Sequence, residues 1–189
     1  MRTLTSLAVA AALSVSAAFA ADTAPRKAPE LTVTEPSGQK TTLSSLKGKV
    51  VVVTFILTTC PHCQHESEML TKLYKEMKPR GLEVLGVAVN DNAQVLVPQF
   101  MQEFKVGFPV GYGTFNDTNA FMEYSAMTRT MYPQVAVVDR KGMIRAASPF
   151  SGDPNLQSES YMRNLLDTLL KEGAPASKSG KATASNHQN

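Results

Sequence analysis

Apolar residues recur along this chain in two rhythms, and the changes between them mark out its elements. Val50 to Leu57 is apolar at every position except Thr54 and rich in β-branched residues, the pattern of a strand covered on both faces of a sheet. Leu82 to Val89 reads as a second buried strand. Between them the period lengthens: Met69, Leu70, Leu73, Tyr74 and Met77 fall on one stripe of a helix that follows Cys60-Pro61-His62-Cys63 and closes at Pro79-Arg80-Gly81. A further helix carries Phe100, Met101 and Phe104, with Pro98 placed to start it, since proline is tolerated in a first turn. Phe108-Pro109-Val110 is a short extended segment, followed by a loop and a brief helix near Ala120 to Tyr124. Val135 to Val138, a turn over Asp139 to Gly142, and Met143 to Ala147 form a hairpin in which the glycine supplies a positive φ. The last helix, from about Ser158 to Glu172, is expected to turn Tyr161, Leu165, Leu166, Leu169 and Leu170 inward. Ahead of all these, Leu31 to Thr34 suggests a short strand, Pro36 to Gly38 a turn, and Thr42 to Leu46 a loop leading to Gly48. Strands alternating with helices and ending in a hairpin and a helix predict an α/β three-layer α/β/α sandwich with a mixed β-sheet.

The two ends do not share this patterning. Met1-Arg2, an alanine-rich apolar run from Leu7 to Ala20 ending Ala18-Phe19-Ala20, and Asp22 just beyond have the layout of a secretory signal, so residues 1–20 are expected to be cleaved near Ala20. The run is shorter than the roughly 18 residues a membrane span needs, which argues against stable membrane insertion and for an extracytoplasmic, periplasmic protein. Residues 21–29 read as a flexible lead-in and residues 30–172 as one domain. Residues 173–189, rich in Ala, Ser, Lys and Gly, read as a disordered tail that cannot offset its ordering entropy. The whole chain carries 19 basic and 16 acidic residues among 189. Lysines in the tail account for much of that small excess, so no concentrated basic surface is expected and nucleic acid is excluded as a partner.

Two cysteines separated by two residues make a poor structural staple, because so small a ring restricts the unfolded chain little. Their position suggests chemistry instead. The buried strand runs straight into Thr58-Thr59-Cys60, with Pro61 at the first helical position and Cys63 one turn in. Cys60 thus stands at a helix N-terminus, where unpaired backbone amides and the helix dipole favour an anion and so a reactive thiolate. Cys63 behind it is placed to resolve a mixed disulfide by intramolecular attack.

His62 can direct a hydrogen bond or positive charge at the Cys60 sulfur. Glu66, three residues after Cys63, lies one turn below it on the same helix face and could relay protons for it. His65 lies on another face. Cys60, Cys63, His62 and His65 fall within six residues, yet a closed structural zinc site needs four ligands and Pro61 stiffens the turn that would have to wrap an ion. No metal and no cofactor is expected.

These residues resemble the TlpA-like redoxins, extracytoplasmic members of the thioredoxin superfamily, from about Ala28 to Leu170. The similarity rests on Leu43-Ser-Ser-Leu46-Lys-Gly48-Lys49 before the apolar strand, the Cys-x-x-Cys at its end, Glu66, and Pro133-Gln-Val-Ala-Val-Val-Asp139-Arg-Lys-Gly142. The resemblance implies a thioredoxin-like fold and a thiol-disulfide oxidoreductase. It also implies that Pro133 is a cis-proline opposite the cysteines, that Tyr132 and Pro61 help shape the substrate groove, and that Glu66 is the acidic residue near the pair. Protein thiols and disulfides would be the substrates and a membrane thiol-transfer protein the electron donor.

Three departures qualify it. Thr59 stands where many members carry tryptophan, Thr54 stands six residues before Cys60 where cytoplasmic thioredoxins carry a buried aspartate, and Pro61-His62 resembles the periplasmic thiol oxidases. These departures run against the usual reductase tuning and leave the direction of electron flow open, while the leading reading is an enzyme that reduces or isomerises protein disulfides rather than introducing them. A peroxiredoxin-like thiol peroxidase and a copper-delivery protein stand as alternatives.

Overall fold

The apolar run that begins at Val50 becomes the centre of an eight-stranded sheet in the computed structural model, which describes residues 25–172. The expected signal at 1–20, residues 21–24 of the lead-in and the tail at 173–189 lie outside the described residues. In chain order the strands are β1 (Arg26–Lys27), β2 (Thr32–Thr34), β3 (Lys40–Thr42), β4 (Val50–Ile56), β5 (Leu82–Ala88), β6 (Val110–Tyr112), β7 (Gln134–Val138) and β8 (Met143–Ala147). The helices are α1 (Pro61–Met77), α2 (Ala93–Glu103), α3 (Phe115–Met122) and α4 (Glu159–Lys171), with short 3-10 turns at Leu43–Leu46 and Lys78–Arg80.

The sheet order is β1-β8-β7-β4-β5-β6-β2-β3. β4 pairs parallel with β5 and antiparallel with β7, so the sheet is mixed, as expected. All seven residues of β4 are buried because each face meets a different layer. Val50, Val52 and Ile56 pack with Leu70 and Leu73 of α1, Val97 and Phe100 of α2, and Leu166 and Leu169 of α4. Val51, Val53 and Phe55 pack on the other face with Phe121 and Met122 of α3 and Leu43 of the first 3-10 turn. Each large apolar side chain buried in these two cores contributes on the order of 2 kcal/mol. The layering fixes the direction of the chain at the end of β4, and that end carries the cysteines.

Several elements differ from the sequence expectation. Pro98 does not start α2 but lies inside it, five residues after Ala93, and Asn92 caps the helix in the left-handed region (φ 59°). Pro98 and Gln94 are both on the exposed side, where water can replace the amide that proline lacks. The helix expected near Ala120 to Tyr124 is α3, which begins earlier because Thr114 and Asp117 close a capping box. On α4 the inward stripe is Met162, Leu166, Leu169 and Leu170. Tyr161 is 46% exposed, because one residue of offset turns a helical side chain by about 100°.

The lead-in also departs from expectation in its second half. Arg26 and Lys27 pair with Ile144 and Met143 as an edge strand, and the Arg26 guanidinium donates to the Phe121 carbonyl at 3.1 Å. Lys40–Thr42, which runs from the gap after the expected turn into the first residue of the expected loop, pairs with β2. In the β7–β8 hairpin the Asp139 carboxylate accepts from the backbone of Lys141 (2.8 Å) and Met143 (3.0 Å), which draws the turn closed.

Candidate active site

Leaving β4, the chain passes Leu57-Thr58-Thr59 and enters α1 with Cys60 as its N-cap residue (φ −87°, ψ 121°) and Pro61 at the first helical position. The approach is held from two sides. Asn90, just after β5, accepts from the Thr58 backbone amide at 2.9 Å, and the Gln64 side chain donates to the Thr58 carbonyl at 3.1 Å. Cys60 is half-buried and its sulfur lies 3.9 Å from the Tyr132 carbonyl oxygen. The Tyr132-Pro133 peptide bond is cis, and Pro133 itself is buried. The strand end and the loop before β7 therefore meet at the outer cysteine.

Cys63 is fully buried one turn in, and both cysteines are free thiols. Its sulfur accepts a hydrogen bond from the Leu57 amide at 3.4 Å. Burial pushes the Cys63 thiol far up from its ordinary range; the Leu57 amide opposes this, while the nearby Cys60 and Glu66 add to it. The pair is thus unequal: one sulfur borders solvent and the other is held as a protonated thiol.

Glu66 is 1% exposed beneath the pair. Thr54 projects from β4 toward α1 and donates its hydroxyl to Glu66 Oε1 at 2.9 Å, while Oε2 is buried without a hydrogen-bond partner. Burial raises this carboxyl to about 8, against the Thr54 hydrogen bond that lowers it. It is a buried acid that exchanges its proton near neutral pH. Tyr132 is half-buried and donates its hydroxyl to Thr118 at 3.2 Å; burial pushes its phenol up as well. Its ring meets that of Phe115, with centroids 5.8 Å apart.

The structure brings Cys60, Cys63, Glu66, Tyr132 and Pro133 together. Pro61 and His62 are exposed at the helix start, and among the described residues no hydrogen bond joins His62 to either sulfur. His65 is exposed on another face. Among the described residues no group of three or more histidines, cysteines and carboxylates is close enough to hold a metal ion. A cleft of about 300 Å³ flanks the site, bordered by Thr58, Thr59, Gln64, Leu96, Phe100 and Phe104.

Three residues of the site take no role from the sequence alone, although Thr54 stands at the position of the thioredoxin aspartate. Thr54 was visible as the one hydroxyl in an apolar strand, and its even spacing from Val52 and Ile56 puts it on the α1 face. Gln134 was visible as a polar residue leading an otherwise apolar strand. Asn90 carried no signal beyond its position after a buried strand.

A cysteine pair at a helix start, beside a cis-proline at the same end of the neighbouring strand in a mixed sheet with helices on both faces, defines a redoxin of thioredoxin-like fold. The AhpC/TSA family model matches residues 25–147, and the chain belongs to that family. It is 33% identical over 85 residues to the thiol-disulfide oxidoreductase ResA of a Bacillus cereus strain, covering 45% of this chain and 49% of that protein. The Bacillus subtilis ResA is 35% identical over 83 residues, covering 44% and 46%. The chain thus matches about half the length of these curated relatives. Among solved structures, a thiol:disulfide interchange protein of the thioredoxin family from Chlorobium tepidum TLS superposes with a TM-score of 0.66 at 27% identity, covering 79% of this chain and 99% of that one. The thioredoxin domain of a Bacteroides vulgatus thiol-disulfide oxidoreductase gives 0.62 at 22% identity, covering 77% and 96%, and supports the fold. The TlpA-like resemblance of the sequence agrees with these findings.

Proposed function

We propose that this protein is a thiol-disulfide oxidoreductase that exchanges disulfides with protein substrates and works as a reductase. The observation that carries the reading is the inequality of the two sulfurs, Cys60 bordering solvent at the start of α1 and Cys63 buried behind it. The Cys60 thiolate attacks one sulfur of a substrate disulfide, forming the Cys60-substrate bond and expelling the other substrate sulfur, which takes up a proton. Cys63, once deprotonated, attacks Cys60, forms the intramolecular disulfide and releases the second substrate thiol. Two electrons and two protons pass to the substrate. Glu66, with a carboxyl that titrates near neutrality and an unpartnered oxygen, accepts the Cys63 proton in this scheme. Tyr132 and Pro133 form the wall against which the substrate lies, and Pro61 borders the opening.

The reductive direction is supported by the resemblance to the TlpA-like redoxins and by the surroundings of Cys60. Strongly oxidising pairs draw their power from added stabilisation of the attacking thiolate, and His62 is the side chain placed in sequence to supply it. Among the described residues His62 is exposed and forms no hydrogen bond to either sulfur that would give the Cys60 thiolate this support. The chain's first 20 residues support an extracytoplasmic site of action with the signal removed near Ala20 and residues 30–172 as the working domain. A membrane thiol-transfer protein would then supply the electrons. Among the described residues no helix is long and apolar enough to cross a membrane.

The test is exchange with a disulfide-bonded protein. The reduced protein should open such a disulfide while its own Cys60-Cys63 bond forms, and Cys60→Ser should lower the rate to the uncatalysed level. A Cys60→Ser variant that retains turnover excludes the reading. In a glutathione redox buffer, the intramolecular disulfide should resist opening; ready opening would reverse the proposed direction.

A further inference from the structure

Gln134 opens β7 immediately after Pro133 and its side chain is fully buried, an unusual place for an amide. Its Nε2 faces three carbonyls, donating to Met131 at 2.6 Å and lying 3.2 Å from Pro149 and 3.4 Å from Phe150. Its Oε1 accepts from the Tyr124 hydroxyl at 2.8 Å. Tyr124 also reaches the Ser148 carbonyl, and Ser148 Oγ accepts from the Val135 amide. One amide therefore joins the segment before the cis bond, the loop after β8 and Tyr124, two residues past the end of α3. The Met131 amide completes the join by donating to the Phe150 carbonyl at 2.8 Å.

The joined segments border the reactive sulfur. Tyr132, whose carbonyl faces Cys60, lies between Met131 and Pro133. Met131 and Phe150 are 63% and 53% exposed, two large apolar residues on segments that a backbone hydrogen bond joins although they are 19 residues apart in sequence. A polypeptide lying across Cys60 can cover such a ledge. A small thiol reagent reaches the sulfur without touching it.

We infer that Gln134 is a positioning residue for polypeptide substrates: its buried amide clamps the Met131-Tyr132 and Pro149-Phe150 segments into a single docking ledge beside Cys60. The inference rests on the thiol-exchange reading above. It makes Gln134 a determinant of preference for protein disulfides over small ones, acting through the backbone it holds.

The test compares two reductants of the Cys60-Cys63 disulfide in one variant: a dithiol-containing protein, whose backbone must dock, and dithiothreitol, which need not. In Gln134→Met, which keeps the side-chain length and removes both hydrogen-bonding atoms, exchange with the protein should fall about tenfold, mainly as a raised KM, because several hydrogen bonds to the ledge are lost. Opening by dithiothreitol should stay within about twofold of the unaltered protein. Equal rates with the protein partner would overturn the inference. A parallel fall with both reductants would also overturn it, since general damage to the site would then be the cause. Should Gln134→Met not fold, Tyr124→Phe carries the same comparison by removing the hydroxyl that holds Oε1, with a smaller rise in KM for the protein partner expected and an unchanged KM contradicting the role. If the unaltered protein exchanges with no protein partner at all, it is the thiol-exchange reading that fails.

Discussion

Cys63→Ala is expected to convert a protein that turns over into one that stays covalently attached to its substrate. Cys60 remains at the N-cap of α1 and can still attack, but the sulfur that would expel the captured partner is gone. Intramolecular attack by a sulfur one helical turn away carries a large effective concentration, so its loss should slow release on the order of 10³-fold or more. The variant should accumulate a mixed disulfide through Cys60, visible as a mass increase that dithiothreitol removes. Cys63 is fully buried and alanine leaves only a small void, so the fold should persist and the effect should be chemical. Cys60→Ala in the same background should capture nothing. A Cys63→Ala protein that forms no adduct with a protein disulfide would remove the assignment of attacking and resolving sulfurs.

Glu66→Gln is expected to change how stability depends on pH. Burial raises this carboxyl from 4.5 to about 8 in the folded chain. Below about pH 4.5 it is protonated in both folded and unfolded states and contributes no slope. Between about 4.5 and about 8 the unfolded chain releases the proton and the folded chain retains it, so the folded state binds more protons and stability falls as pH rises. One group acting alone gives a slope of up to about 1.4 kcal/mol per pH unit across that window. Glutamine cannot titrate, so the variant should lose this slope and gain stability relative to the parent from about pH 5 to about pH 8, as read from urea unfolding at several pH values. The same substitution should slow formation of the Cys60-Cys63 bond, since the base proposed for Cys63 is removed. Parallel stability curves for parent and variant would mean that the buried carboxyl does not hold its proton as the geometry requires. Thr54→Val, by deleting the hydroxyl that donates to Oε1, should push the carboxyl still higher and steepen the loss toward alkaline pH.

What was legible in the chain was what depends on neighbours in sequence. The β4 run, the α1 stripe and the Cys60-to-Cys63 spacing each carry their own pattern, and they pointed to helix-start chemistry before any contact across the sheet was known. Pro133 was legible through its family resemblance, and Glu66 through helical spacing from Cys63. Thr54 and Gln134 act through what the fold places opposite them, a carboxyl from α1 in one case and three carbonyls from two loops in the other. No local pattern encodes such a partner. The edge strands β1 and β3 escaped for a different reason: at two and three residues they are too short and too polar to show a period. Pro98 misled because a proline that can begin a helix can also sit on its wet side, and the left-handed cap at Asn92 that starts α2 leaves little trace in composition.

The proposed chemistry depends most on the two sulfurs being unequal, and that is measured directly by residue-resolved alkylation of the reduced, folded protein near neutral pH. With limiting iodoacetamide and mass spectrometry of the peptides, Cys60 should be modified at least about 100-fold faster than Cys63, because only the Cys60 sulfur is accessible while burial keeps the Cys63 thiol protonated and covered. Equal rates, or faster modification of Cys63, would contradict the division of labour on which the proposed exchange rests.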